Sequence, residues 1–329
     1  MPETVVREMP RPQRPAPFLL VVGTLSLLMV HALHFSGVLG WSAGTRFEIW
    51  SEIIRANMTP MAWCAYLMFL LGLLAVIDGR SWFRRYCNRF LVCWLWSVPA
   101  WCYFDWMNFY FMRDPATHLR AWEYINLPAE FSSRLMGYLV AFGAIAPGMF
   151  LTAEVLERIG FRRLTCRAMN LSRAAARRWV SGVFALGLVL TPIPIVFGTP
   201  ASNLAIWVGT WALLDPINLA LGRPSILRDW YQGRWGRTLA LGAGGLLCGF
   251  LWEFWNYWAY TKWVYHLPFL GSGEKYKYFE MPVPGLIGFI AFGIETWTMW
   301  QTSLLLLGWL VEGEGNRPAD RTLQTVSCM

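Results

Sequence analysis

The stretch LWEFWNYWAYTKWVYHLP, residues 251–268, closes a long apolar run with an acid, an amide and a cation among indoles: Glu253, Asn256 and Lys262 stand between Trp252, Trp255, Trp258 and Trp263. An ionisable side chain in an apolar medium is costly unless it faces a cavity, a partner or the interface. A second stretch, YFDWMNFYFMRDP at residues 103–115, carries the same pattern in Asp105 and Asn108. In each, acid and amide are three residues apart and share one face of a helix.

Both stretches end apolar runs. Crossing about 30 Å of hydrocarbon takes roughly 20 apolar residues. Eight runs meet that length, at about 18–40, 59–78, 88–112, 131–157, 179–198, 201–221, 238–262 and 283–311, in a chain 56% hydrophobic and only 15% charged. The first run is too long for a signal-peptide core and no small-residue cleavage site follows it, so it reads as a retained helix. The expected fold is an all-α membrane protein of eight transmembrane helices.

Orientation follows from Lys and Arg. Residues 1–17, 79–90, 158–178, 222–237 and 312–329 hold three, four, seven, four and two of them; the alternate loops at 41–58, 113–130, 199–202 and 263–282 hold two, two, none and two. Both termini are therefore expected in the cytoplasm, with the chain in the plasma (inner) membrane. This bias accounts for the net charge of +8 without nucleic-acid binding. Residues 158–178 read as a solvated basic loop or as a helix lying on anionic lipid. The seven Cys form no CxxC and no zinc spacing, so neither disulfide nor structural metal is expected. His31 and His34 share a helix face but His118 and His266 fall in outer loops, which gives no facing pair for a haem. No cofactor is expected.

Set side by side, the halves look duplicated. Gly79, Arg80 and Ser81 follow the second run; Gly222, Arg223 and Ser225 follow the sixth. From the Gly to the acid is 26 residues in one half and 31 in the other, and from the Asn to a Pro closing the outer loop is 20 and 26. In this alignment residues 124–128 (YINLP) match residues 278–282 (YFEMP). Four runs per unit is an even number, so the two four-helix repeats run parallel. The expected organisation is a basic tail at 1–17, repeats at 18–157 and 179–311, a linker at 158–178 and a tail at 312–329.

Both acids lie about 23–26 Å from the cytoplasmic end of their helices at 1.5 Å per residue. Desolvation there favours the protonated acid, a potential proton donor; the bland alternative is that Asn108 and Asn256 hold the acids as interhelical glue. Trp and Phe number 21 each. Interfacial belts explain Trp41, Trp50, Trp122 and Trp263, but not Trp211, Trp297 and Trp300, which sit within runs. Ring faces stabilise cations, so a buried acid among them suits a polyene protonated to a carbocation. Glu295 is a mid-run acid whose counterpart in the first half is Ala141 or Ile145. Asp215, before Pro216, reads as structural, satisfying backbone freed by the Pro. Glu154 and Arg158 read as an i,i+4 pair.

Trp252-Glu253, the Trp-x-aromatic at residues 263–265 and the aromatic-x-x-x-Pro at residues 278–282 resemble the repeated motif of the integral-membrane lycopene cyclases, fungal-type and heterodimeric bacterial. Pro128-x-Glu130 fits that motif's Pro-x-Glu in the first half. The pattern departs at Pro284, where a Glu would stand, at Phe131, where a second acid would stand, and at Phe104, where a Trp would precede the acid. The resemblance covers about a third of the 329-residue chain. It implies two parallel copies, an apolar polyene or isoprenoid ligand, and ring closure by protonation with no net redox change. The expectation is a non-redox cyclase or hydratase. Glu253, Asp105, Glu130 and Glu295 are its candidate proton donors or cation stabilisers. Asn108, Asn256, Trp252, Trp255, Trp211, Trp297, Tyr278 and Lys262 are its candidate ligand-binding residues. The alternative is a non-catalytic subunit of a bioenergetic or photosynthetic membrane complex, or a carrier.

Overall fold

The structure is a computed structural model that describes residues 17–79, 82–267, 270–271 and 275–311. Arg80, Ser81 and most of both tails lie outside them. The helices are α1 (Phe18–Val38), α2 (Glu48–Ala56), α3 (Met58–Asp78), α4 (Trp82–Tyr110), α5 (Phe131–Ile159), α6 (Arg173–Leu190), α7 (Ile193–Phe197), α8 (Asn203–Ala220), α9 (Ile226–Tyr231), α10 (Gly236–Trp258) and α11 (Ile287–Val311). Beside them are short 3-10 turns at Phe161–Arg163, Pro200–Ser202 and Val283–Leu286 and four short strands: β1 (Trp122–Ile125), β2 (Lys262–Tyr265), β3 (Lys277–Tyr278) and β4 (Met281–Pro282). Five helical segments among the described residues are long and apolar enough to cross a membrane: Phe18–Val38, Met58–Asp78, Phe131–Ile159, Arg173–Phe197 and Gly236–Trp258. The chain is thus an all-α protein of membrane type.

Local chemistry sets the ends of these helices. Gly79 (φ 66°) stops α3 and Gly222 (φ 74°) follows α8, both in the left-handed region that glycine enters without a Cβ penalty. The run expected at 238–262 ends early, at Trp258, and the backbone turns into β2, so Lys262 and Trp263 are strand residues. The run at 179–198 breaks after Leu190, where Pro192 and Pro194 open the short α7. Inside α5, Ser97 of α4 donates to the Phe142 carbonyl at 2.5 Å and accepts from the Ala146 N–H at 3.1 Å. Those two backbone groups ordinarily bond each other across one turn. With Pro147 next in line, the inserted hydroxyl satisfies the loosened ladder.

Packing gives the two halves the same neighbours. α1 lies along α3, which packs on α5, and α4 packs on α5; in the same way α6 lies along α8, α8 on α11, and α10 on α11. Glycines allow the first contact of each set. A Cβ on Gly72 would overlap the Leu20 backbone, and one on Gly187 the Leu213 backbone, as small-residue packing of membrane helices requires. α5 against α10, and α11 against α4, close the bundle.

The segment 158–178 is mostly exposed, as a solvated basic loop would be, but part of it is tied to residues 231–235 and its last six residues are helical. α5 runs to Ile159. A 3-10 turn at Phe161–Arg163 follows, and the chain then runs beside residues 231–235, with Cys166 N–H donating to the Gly233 carbonyl at 2.8 Å and Met169 N–H to the Tyr231 carbonyl at 3.0 Å. α6 begins at Arg173, capped by Ser172. Asp215 is structural, but not through Pro216: it accepts from Ser225 Oγ at 2.7 Å and from the N–H groups of Ile226 and Leu227, both at 2.9 Å, and so caps α9. The i,i+4 pair is present, Arg158 to Glu154 at 2.6 Å, with Arg158 also on Asp78 at 2.9 Å.

Candidate functional site

One polar arrangement is built twice. In the first half Asn108, fully buried, donates from Nδ2 to the Trp122 carbonyl at 2.8 Å and accepts the Trp122 N–H at 3.3 Å. Asp105, one helical turn earlier, accepts from Trp122 Nε1 at 2.9 Å and from the Tyr124 hydroxyl at 3.0 Å. In the second half Asn256, fully buried, donates to the Trp263 carbonyl at 2.8 Å and accepts the Trp263 N–H at 2.9 Å. Glu253 accepts from Trp263 Nε1 at 3.4 Å and from the Tyr265 hydroxyl at 3.1 Å. The amide fixes a strand's backbone by two bonds, and the acid fixes that strand's Trp and Tyr tips.

These two strands pair with each other. β1 and β2 run antiparallel, with Trp122 opposite Tyr265, Glu123 opposite Val264 and Tyr124 opposite Trp263. Residues directly opposite share a face and side chains alternate. All four polar-tipped rings therefore point to one side of the two-stranded sheet, toward the acids. Glu123 is on the other side, within 4.0 Å of Arg120 and 3.9 Å of His266. In register and hydrogen bonding Tyr124 is matched by Tyr265, which bonds Glu253 as Tyr124 bonds Asp105, whereas Tyr278 meets Phe250 and Phe279. Asn to Trp is 14 residues in one half and 7 in the other. The first half spends its extra length before the strand, in a turn that Asp114 holds by accepting the Ala116 and Thr117 N–H groups. The second half spends its extra length after the strand, in the segment carrying β3 and β4.

Beneath the sheet lies a cavity of about 330 Å³. Trp122, Tyr124, Trp263 and Tyr265 roof it, and Trp101, Trp207, Trp252 and Phe292 line its sides and floor. Trp101 and Trp252 meet at 5.1 Å between ring centres, Phe104 stacks on Trp207 at 5.1 Å, and Trp207 meets Phe292 edge-on at 5.3 Å. Toward the outside the cavity is bordered by Leu204 and Val208 of α8 and Ile287 of α11. These are 60%, 40% and 70% exposed, so this border consists of apolar side chains that face outward. Trp101 Nε1 donates to the Tyr124 hydroxyl at 3.0 Å, continuing a chain that ends on Asp105. Burial first, and the adjoining carboxyl after it, push the Tyr124 and Tyr265 phenols well above their ordinary range. Both stay protonated and serve as donors. A smaller cavity of about 100 Å³ lies across Tyr124 and Trp263, bordered by Asn57, Arg134, Tyr138 and Lys262.

Of the sequence candidates, Asp105, Asn108, Glu253, Asn256 and Trp252 come together here. Glu253 has one buried oxygen, Oε2, with no hydrogen-bond partner of ordinary geometry; Trp252 Nε1 is likewise buried and unpartnered. Glu295 is fully buried beside Thr210 on α8, without a partner of ordinary geometry. It lies one turn deeper on α11 than Ala291 and Phe292, below the cavity floor. The others stand elsewhere. Trp255 donates to His31 Nε2 at 2.9 Å, on the α1 side. Trp211 packs on Trp230 at 5.4 Å and Trp297 lies under Arg237 at 5.1 Å. Tyr278 meets Phe250 and Phe279 edge-on. Lys262 pairs with Glu280 at 2.6 Å and borders the smaller cavity. Glu130 is exposed before α5 and gives no side-chain cap. Sequence reasoning passed over Trp101 and Trp207, used Tyr124 only in the loop alignment, and took Trp122 and Trp263 for belt residues. The available signal was the recurrence of Trp-x-Tyr at 122–124 and 263–265.

The chain matches no family model, and neither the curated proteins nor the solved structures compared with it give a match.

Proposed function

We propose that this chain spans the plasma (inner) membrane eight times, as two parallel four-helix repeats with both termini in the cytoplasm, and acts on an apolar polyene or isoprenoid as a non-redox cyclase or hydratase. Support for eight spans comes from α4, α8 and α11, of 29, 18 and 25 residues. At 1.5 Å per residue each is about 27 Å long or more, and each packs lengthwise among the five apolar helices. Support for the duplication comes from the twin Asn and acid networks and from the β1–β2 register, whose local two-fold exchanges one half's Trp-x-Tyr with the other's.

The observation that carries the reading is the aromatic cavity, bordered toward the outside by apolar side chains and roofed by rings tied to two carboxyl groups. In the proposed reaction Glu253 gives the proton on Oε2 to one carbon of a terminal double bond. The O–H bond breaks, a C–H bond forms and the neighbouring carbon becomes cationic. The faces of Trp252, Trp263 and Phe292 stabilise that charge. A second double bond of the same molecule then closes on the cation and a ring proton returns to the carboxylate. Alternatively water adds to the cation through its oxygen and the proton it loses returns to the Glu253 carboxylate. Electrons balance on both courses without an oxidant or reductant. Asp105 holds the Tyr124 side of the roof and stabilises the cation.

The test is expression in a lycopene-accumulating cell with chromatography of the pigments. A cyclised or hydrated product with the wild-type chain, and none with Glu253→Gln, is the expected result. Unchanged lycopene with the chain present in the membrane would overturn the enzymatic reading. One observation favours the second reading, a non-catalytic subunit or carrier: both acids already serve the roof as hydrogen-bond acceptors. Unconverted pigment co-purifying with the chain would support that reading.

A further inference from the structure

At the end of the bundle away from the β1–β2 sheet, the first turns of α6 and the last turns of α8 part around α9. The cleft between them measures about 400 Å³. Arg177 of α6 and Arg228 of α9 both line it, with Trp179 and Tyr231 beside them and Val180 and Leu219 as apolar wall. The acids of the adjoining elements are already engaged. Asp229 takes Arg234 at 2.6 Å and Arg237 at 2.7 Å. Asp215 is spent on the N-terminus of α9. Neither Arg177 nor Arg228 has a carboxylate within ion-pair distance among the described residues. The one hydrogen bond from the Arg228 guanidinium is a long one, 3.5 Å to the Leu219 carbonyl. Two uncompensated guanidinium groups bordering one cleft call for an anion, and guanidinium matches phosphate in charge and geometry.

The setting selects the kind of phosphate. α6 buries only Gly187 among its residues, while Leu186, Leu188 and Val189 face outward, so its outer face meets acyl chains. Trp and Tyr favour the level where acyl chains give way to headgroups. A free phosphate would use the arginines and leave the apolar wall bare; a lipid uses both. We propose that this cleft binds an anionic glycerophospholipid, with Arg177 and Arg228 on its phosphate and one acyl chain along Val180 and Leu219. The proposal rests on the membrane reading alone and is independent of any reaction at the aromatic cavity.

The experiment uses the purified full chain in neutral detergent, its unfolding temperature followed while phosphatidylglycerol, phosphatidylcholine or inorganic phosphate is added. Phosphatidylglycerol should stabilise in a saturable way, and the other two should not at matched concentration. At roughly the strength expected for two cations near an anionic surface, Arg177→Gln with Arg228→Gln should raise the half-saturating concentration about thirtyfold. Should the double variant fail to fold, exposed Arg177→Gln alone should raise it about fivefold. Arg162→Gln with Arg163→Gln removes the same charge nearby and should leave it within threefold. Equal stabilisation by phosphatidylcholine, an equal effect of inorganic phosphate, or an equal loss in the Arg162/Arg163 variant would each overturn the proposal.

Discussion

Replacing Asn256 with Ala tests whether the paired strands act as one roof. Asn256 is fully buried and makes two hydrogen bonds, at 2.8 and 2.9 Å, to the backbone of Trp263. Each such bond contributes about 1 kcal/mol net, and leaving a buried partner unsatisfied costs about 1–3 kcal/mol. Ala removes both bonds and orphans both backbone groups, so the cost should be about 2–4 kcal/mol. Asp at this position can still accept the Trp263 N–H but no longer donates to the carbonyl as a carboxylate, so it should fall between wild type and Ala. Asn108→Ala removes the equivalent pair of bonds on β1. The two strands hold each other in register, so freeing one already loosens the other. The double variant should therefore cost at least about 1 kcal/mol less than the sum of the singles, well outside the ~0.3–0.5 kcal/mol scatter of independent sites. The assay is denaturant unfolding in detergent followed by Trp fluorescence. Additive costs, or Asn256→Ala unfolding at the wild-type midpoint, would refute the single-roof reasoning.

Glu253→Gln should abolish conversion or ligand retention while shifting the melting temperature less than Asp105→Asn does; Gln can still bond the Tyr265 hydroxyl but has no proton to give, and full function in Glu253→Gln would end the proton-donor role. Asp215→Ala removes three hydrogen bonds at 2.7–2.9 Å from the start of α9 and should destabilise by about 2–4 kcal/mol, read from the same unfolding curves; a neutral result would remove Asp215 as the cap. In a background without other cysteines, Cys placed at residue 170 and at residue 272 should be labelled from opposite faces of the membrane. Labelling of both from one face would sink the eight-span topology.

Much of this protein could be read from composition and periodicity, because the medium imposes it. Hydrocarbon leaves a spanning backbone no partner but itself, so long apolar runs become helices, and helices from 18 to 38, 58 to 78 and 131 to 159 fall where runs do. The acid and amide three residues apart announced their shared face for the same reason: helical geometry is local. What only the folded chain decided is non-local. The pairing of Trp122 with Tyr265 joins residues 143 apart, and no local rule chooses that register over one through Tyr278. Trp255 and Trp252 look equivalent in sequence, one turn apart on α10, yet one bonds His31 of α1 and the other walls the cavity, because each helix has several neighbours and only packing assigns a face to each. Glu295 was visible as an unmatched acid, but its place below the cavity floor depends on how α8 and α11 meet. The cavity itself is written in no segment: it is the space left when four rings from two distant strands are held above four rings from four different helices.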